Sequence, residues 1–161
     1  METAEPTTSA FDRRSLLTGG LTLGALGAGS LLTAAPAAAG VTRMYNSLDV
    51  SRVRAGRRKL YRATSLARVA QAWAAELARS GSLRHNPRYS SQIPSGWMSA
   101  AENVGYVGAG HSRPEDVLHS MWMNSSGHRA NMLGNFSSVG IGRVVDSRGR
   151  LWGVQVFGRY S

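Results

Sequence analysis

Val139-Gly140-Ile141-Gly142-Arg143-Val144-Val145 and Leu151-Trp152-Gly153-Val154-Gln155-Val156-Phe157, joined across Asp146-Ser147-Arg148-Gly149, are the stretches that decide the fold class. Both runs are dense in β-branched and aromatic residues, and an aspartate-to-glycine connector is turn chemistry, so the pair reads as a β-hairpin. Everything upstream is helical or mixed. Leu66, Val69, Ala70, Trp73, Ala74 and Leu77 recur at spacings of three and four, which predicts an amphipathic helix capped by Ser65 and ended at Ser80-Gly81. Val41, Met44, Tyr45, Leu48 and Val53 predict an earlier helix over 41–55, with Gly56 at its C-terminal end. A basic connector, 57–64, separates the two.

Residues 82–111 contain Pro87, Pro94 and four glycines without a sustained period, which predicts a long loop with short strands near 104–107. Pro114, Glu115 and Asp116 then form a helix start, with the acids beside the positive end of the helix dipole. Val117, Leu118, Met121 and Trp122 make its apolar stripe, Ser126-Gly127 break it, and His128 to Leu133 form a short helical turn. Helices, a mixed loop, a helix and a hairpin amount to one α+β domain.

The N-terminal segment has a different character. After Arg13-Arg14 no charged side chain occurs until Arg43, and the interval is Leu, Ala, Gly and Thr. Glu2, Glu5 and Asp12 offset the two arginines, so the arginine pair itself carries the reading of residues 1–39 as a twin-arginine signal peptide. Ala35-Pro36-Ala37 and Ala37-Ala38-Ala39 are candidate cleavage sites, and the second leaves 40–161 as the mature domain. An uncleaved membrane anchor is the alternative, but the glycine-rich interval is weakly apolar, so cleavage is the preferred reading and no stable membrane span is expected after it.

Residues 40–161 hold 17 Lys and Arg against 6 Asp and Glu, a net charge of +11 over 122 residues. So basic a domain favours anionic partners, such as a cell-wall polymer or lipid headgroups. Nucleic acid is not indicated, because no aromatic-rich basic motif of the stacking kind is present. With no cysteine, the domain is held by its core alone and thiol chemistry is excluded. Its size suits a single domain, expected to be a monomer.

Polar chemistry concentrates in Leu83-Arg84-His85-Asn86, Ala101-Glu102-Asn103-Val104-Gly105 and the stretch from Trp122 to Leu133. Glu102 is singled out among six acids because it lies in neither a turn nor an obvious solvent face. Asn103 and Asn131 are expected to support the loop backbone, and Gly127 to supply a positive φ before His128. His119, beside the apolar stripe, is expected to be solvated, and His111 to line the loop.

At these blocks the sequence resembles the CAP superfamily of cysteine-rich secretory, antigen 5 and pathogenesis-related-1 proteins, in its cysteine-free bacterial SCP form. The resemblance runs over about 43–158 and includes Ser126-Gly127-His128-Arg129-Ala130-Asn131-Met132-Leu133 and the closing Val154-Gln155-Val156-Phe157-Gly158. It implies a three-layer α-β-α sandwich with a central antiparallel sheet. It also implies a cleft of two histidines and two glutamates, matched here by His85, Glu102 and His128, with Ser125 in place of the fourth member.

Two imidazoles and one carboxylate are the minimum donor set for a divalent metal such as zinc, with water completing the shell. The same three residues can instead form a hydrogen-bonded network fixing three loops, or contact a ligand directly. A carboxylate lying between the imidazoles would favour its own charged form and raise their pKa values. The resemblance implies a secreted or envelope-associated module that binds a lipid, a peptide or a wall component. The alternative is an extracytoplasmic hydrolase, metal-assisted through His85 and His128 or nucleophilic through Ser125 or Ser126, although no complete catalytic set is legible.

Overall fold

The computed structural model describes residues 28–161. Arg13, Arg14 and most of the expected export segment lie outside the described residues. Helix α1 spans Ala28–Arg54 and is followed by the two-residue strand β1, Tyr61–Arg62. Helix α2 is Thr64–Ser80, the single turn α3 is Tyr89–Gln92, and strand β2 is Trp97–Val107. Helices α4, Pro114–Asn124, and α5, Ser126–Leu133, precede the hairpin strands β3, Ser138–Val145, and β4, Leu151–Tyr160. The sheet order is β1-β3-β4-β2, antiparallel except where β1 runs parallel to β3.

The sheet is covered on both faces, as a three-layer α-β-α sandwich requires. Leu66, Ala70, Ala74 and Leu77 of α2 are buried against Val104, Trp152, Val154 and Val156. On the other face, Met44 and Leu48 of α1, Leu118 and Trp122 of α4 and Met132 of α5 pack with Ile141 and Phe157. Burial of a leucine such as Leu66 or Leu77, at 1% and 0% exposure, stabilises by about 1.5–3 kcal/mol. Double-sided coverage explains why β4 reads as an almost unbroken apolar run instead of alternating with polar residues.

Glycines set the distance between α2 and the sheet. Two of the β3 positions that face α2 are Gly140 and Gly142, and a Cβ at either would collide with the α2 backbone, at Leu66–Ala67 and at Ala70–Gln71 respectively. Side-chain bonds lock the same contact, since Gln71 Nε2 donates to the carbonyl of Arg143 (3.1 Å) while its Oε1 accepts from the Arg143 N–H (2.9 Å).

Several sequence expectations are corrected. The first helix already includes Ala28, the first described residue, so it reaches at least that far ahead of residue 41 and contains Ala37-Ala38-Ala39, consistent with the helix propensity of this alanine-rich stretch. Ser65 lies within α2, whose cap position is Ala63, without a side-chain cap bond. The supposed loop at 97–107 is an eleven-residue strand, paired with β4 from Trp97↔Tyr160 to Val107↔Leu151. Gly127 is not among the positive-φ glycines and sits in the first turn of α5, while the chain breaks one residue earlier than expected, at the extended Ser125 (φ −95°, ψ 124°). The C-terminal end of α2 is as expected, with Gly81 in the left-handed region at φ 65°.

Gly142→Ala is expected to destabilise the domain by about 3 kcal/mol, because backbone atoms must shift to admit the methyl group. In thermal unfolding this corresponds to a fall in Tm of roughly 10 °C. An unchanged Tm would show that α2 can lift off the sheet at little cost.

Candidate functional site

Strand β2 is an edge of the sheet, and successive side chains along it point to opposite faces. That alternation separates Glu102 from Asn103. Glu102 turns toward the α2 side, where its side chain is 1% exposed and its Oε1 accepts from the Asn86 N–H (2.9 Å) and is 2.8 Å from His85 Nδ1. Its Oε2 is buried without a partner. The loop carrying His85 is itself fixed. Trp73 Nε1 donates to the Arg84 carbonyl (3.0 Å), the Arg84 guanidinium stacks over the Trp73 ring, and Arg84 pairs with Glu76 (2.8 Å).

Asn103 points to the opposite face and joins β2 to α5. Its Nδ2 donates to the His128 carbonyl (3.2 Å) and to Gln155 Oε1 (3.0 Å). Asn131 Nδ2 returns the connection to Asn103 Oδ1 (2.9 Å) and the Glu102 carbonyl (3.3 Å). The two asparagines therefore clamp α5 to the strand instead of supporting a loop.

The geometry brings the expected residues to one edge of the sheet but gives them different tasks. Glu102 is the orienting partner of His85, leaving the exposed His85 ring with Nε2 directed away from the carboxylate. His128 belongs to a second group. With Ser125 and His111 it rims an apolar cavity of about 520 Å³ between β2 and α4, walled by residues such as Tyr106, Val117, Met121 and Trp122. Among the described residues no group of three or more His, Asp or Glu side chains is disposed to hold a metal ion. The donor set His85, Glu102 and His128 does not converge on a zinc centre in this arrangement: Oε1 of Glu102 is taken by Nδ1 of His85 and the Asn86 N–H, and its Oε2 is enclosed.

For Glu102 and His128 the electrostatics reverse the sequence expectation. Burial raises the Glu102 pKa above the ordinary glutamate value, against the opposing effects of the Asn86 N–H and His85. Burial lowers the pKa of His128, and the neighbouring His85 lowers it further. Desolvation outweighs attraction because Glu102 is enclosed and does not lie between the two rings. His119 is also corrected. It is partly buried, with Nε2 2.8 Å from Ser51 Oγ, and burial lowers its pKa. Sequence reasoning missed this pair because 68 residues separate its members.

Residues 45–157 match the profile of the Cysteine-rich secretory protein family, CAP. The chain belongs to the CAP family. It does so without a single cysteine. The uncharacterized protein YkwD of Bacillus subtilis is 39% identical over 64 residues, which are 39% of this chain and 23% of that protein. The chain thus matches about a quarter of that relative's length. Among solved structures, an outer surface protein from Borrelia burgdorferi superposes with a TM-score of 0.66 at 15% identity, covering 76% of this chain and 93% of that one. An extracellular protein containing an SCP domain from Bacillus anthracis gives 0.59 at 24% identity, over 75% of this chain and 40% of that one. At these identities the structural likeness establishes the CAP fold, and this chain's own residues must carry any argument about its site.

The depressed His128 pKa has a measurable consequence. The folded ring binds its proton more weakly than the unfolded one, so His128 contributes stability above the ordinary value of 6.5 that is lost as pH falls through the folded value. NMR titration of the imidazole should give a His128 midpoint below 6.5. A midpoint above 6.5 would mean that the Glu102 carboxylate dominates after all.

Proposed function

We propose that this CAP domain is an exported binding protein of a bacterial envelope that holds an apolar chain, such as a lipid acyl tail, in the cavity between β2 and α4. The cavity itself is the observation that carries this reading. At about 520 Å³ it lies in the size range of small-molecule sites, and its lining is mainly apolar with a few polar groups at the rim. Trp122 is held in place by donating from Nε1 to the Val104 carbonyl (3.1 Å), so one wall is preformed. His111, Ser125 and His128 give the rim hydrogen-bonding capacity for a polar headgroup.

Export by the twin-arginine route, with Arg13-Arg14 as the signal and 40–161 as the mature, monomeric domain, completes the proposal. It is supported by the charge-free interval behind the arginines and by relatives described as extracellular or outer-surface proteins. Among the described residues no helix is long and apolar enough to cross a membrane. A binding role is preferred to hydrolysis because, among the described residues, neither Ser125 nor Ser126 is hydrogen-bonded to the His128 ring. Ser126 faces a different hollow, beside Met123 and Leu133.

Titration of the full chain with the fluorescent fatty acid cis-parinaric acid tests the reading. Wild type should bind saturably. Met121→Trp, which fills the cavity from a half-exposed position, should weaken binding by about tenfold, the loss of roughly 1.4 kcal/mol, with Tm unchanged. Absence of binding, or equal affinity in the variant, would refute an acyl-chain site here. Retention on peptidoglycan without fatty-acid binding would replace it with a wall ligand.

A further inference from the structure

Helix α1 carries a second groove of opposite chemical character. Arg43, Asn46, Ser47, Val50, Ser51 and Arg54 follow the three-and-four spacing of one helix face, next to the core-facing set Met44, Tyr45 and Leu48. They form one wall of a cavity of about 660 Å³ whose other wall is supplied by Arg113, Asp116 and His119 at the start of α4. The Ser51 Oγ to His119 Nε2 contact, 2.8 Å, ties the two helices together in the middle. Among the described lining residues Val50 is the one large apolar side chain, which makes the groove unsuited to an acyl chain.

The charges of this groove are unbalanced. Asp116 has its own cation in Arg113, at 3.9 Å, and among the described residues neither Arg43 nor Arg54 has an ion-pair partner. Eleven residues along an α-helix advance about 16 Å and return to nearly the same face, so the two arginines stand at opposite ends of the groove. Hydroxyl and amide groups of Asn46, Ser47 and Ser51 occupy the space between. Guanidinium groups match phosphate oxygens in a planar fork, and an extended ligand with repeated charges can serve both ends without drawing them together. Among the described residues no Phe, Trp or Tyr lines the groove, so it offers nothing on which nucleic-acid bases would stack.

We propose that the α1–α4 groove binds a linear chain of phosphate groups, with Arg43 and Arg54 each engaging one anionic group and the polar residues between them donating to the intervening oxygens. The site is independent of the apolar cavity on the other side of α4. It gives the strongly basic surface a defined point of attachment to a phosphate-rich polymer.

Calorimetric titration of the full chain with sodium tripolyphosphate and with a longer linear polyphosphate, at about 0.1 M salt, tests this. Arg43→Glu and Arg54→Glu should each weaken binding of the longer chain about tenfold or more, in line with loss of a charge-assisted contact. Arg68→Glu makes the same change in net charge from an exposed position on α2, across the sheet, and should alter affinity by less than about twofold. Equal weakening by all three would show attraction to net charge alone and overturn the site. Absence of binding would do the same, and orthophosphate binding as tightly as the longer chain would overturn the extended ligand. Neither Arg43 nor Arg54 makes a packing contact in the core, so unchanged Tm values should accompany the losses.

Discussion

The contact between α2 and the sheet is the constraint on which the rest of the domain depends. Gly140 and Gly142 remove side chains where the helix backbone crosses β3, so α2 lies directly on the strand. With that face sealed, Val104, Val154 and Val156 are buried beneath α2, and the opposite face of the same strands is free to receive α1, α4 and α5. A closely packed interior of this kind transmits position, and an element displaced by an ångström displaces whatever is attached to it. Edge strand β2 is held by β4 and by both helical layers, and every feature of the candidate site hangs from β2.

From that edge the site divides along the pleat. Glu102, on the α2 side, is buried and holds His85 and the Asn86 backbone; Asn103, on the other side, holds α5 and with it His128. A buried carboxylate is costly unless its bonds compensate, and here Oε2 has none, which is why burial wins in setting the Glu102 pKa. The cavity beside His128 is a product of the same arrangement. The break at Ser125 turns the chain from α4 into α5, and Trp122, pinned to the Val104 carbonyl, keeps the wall of the pocket in place. Apolar chemistry on one side of α4 and guanidinium chemistry on the other give a small domain two separate binding surfaces.

Much of the fold was legible because its signals are local. The hairpin around Asp146–Gly149 and the three-and-four pattern of α2 each need only a short window of sequence, and the ordered motifs supplied the sandwich and the family. Strand β2 was hidden because Glu102 and Asn103 are polar at positions that are buried, and only long-range partners on α5, β4 and the 85–86 loop make them acceptable there. For the same reason composition could nominate His85, Glu102 and His128 but could not say that Glu102 would serve one imidazole and not both. Gly127 looked like a backbone exception and is an ordinary helical residue, because the extended conformation that breaks the chain falls on Ser125. Ser51 and His119 escaped notice because neither stands out until α1 and α4 cross.

The central claim is that the cavity between β2 and α4 is the place where an apolar ligand is held. Amide chemical-shift mapping by NMR, with palmitate added to the isotopically labelled protein, tests it most directly. The account predicts saturable shifts confined to Leu83, 104–111, 117–125 and His128, with little change along 43–54. Shifts centred on the α1–α4 groove, or no saturable shifts anywhere, would contradict it.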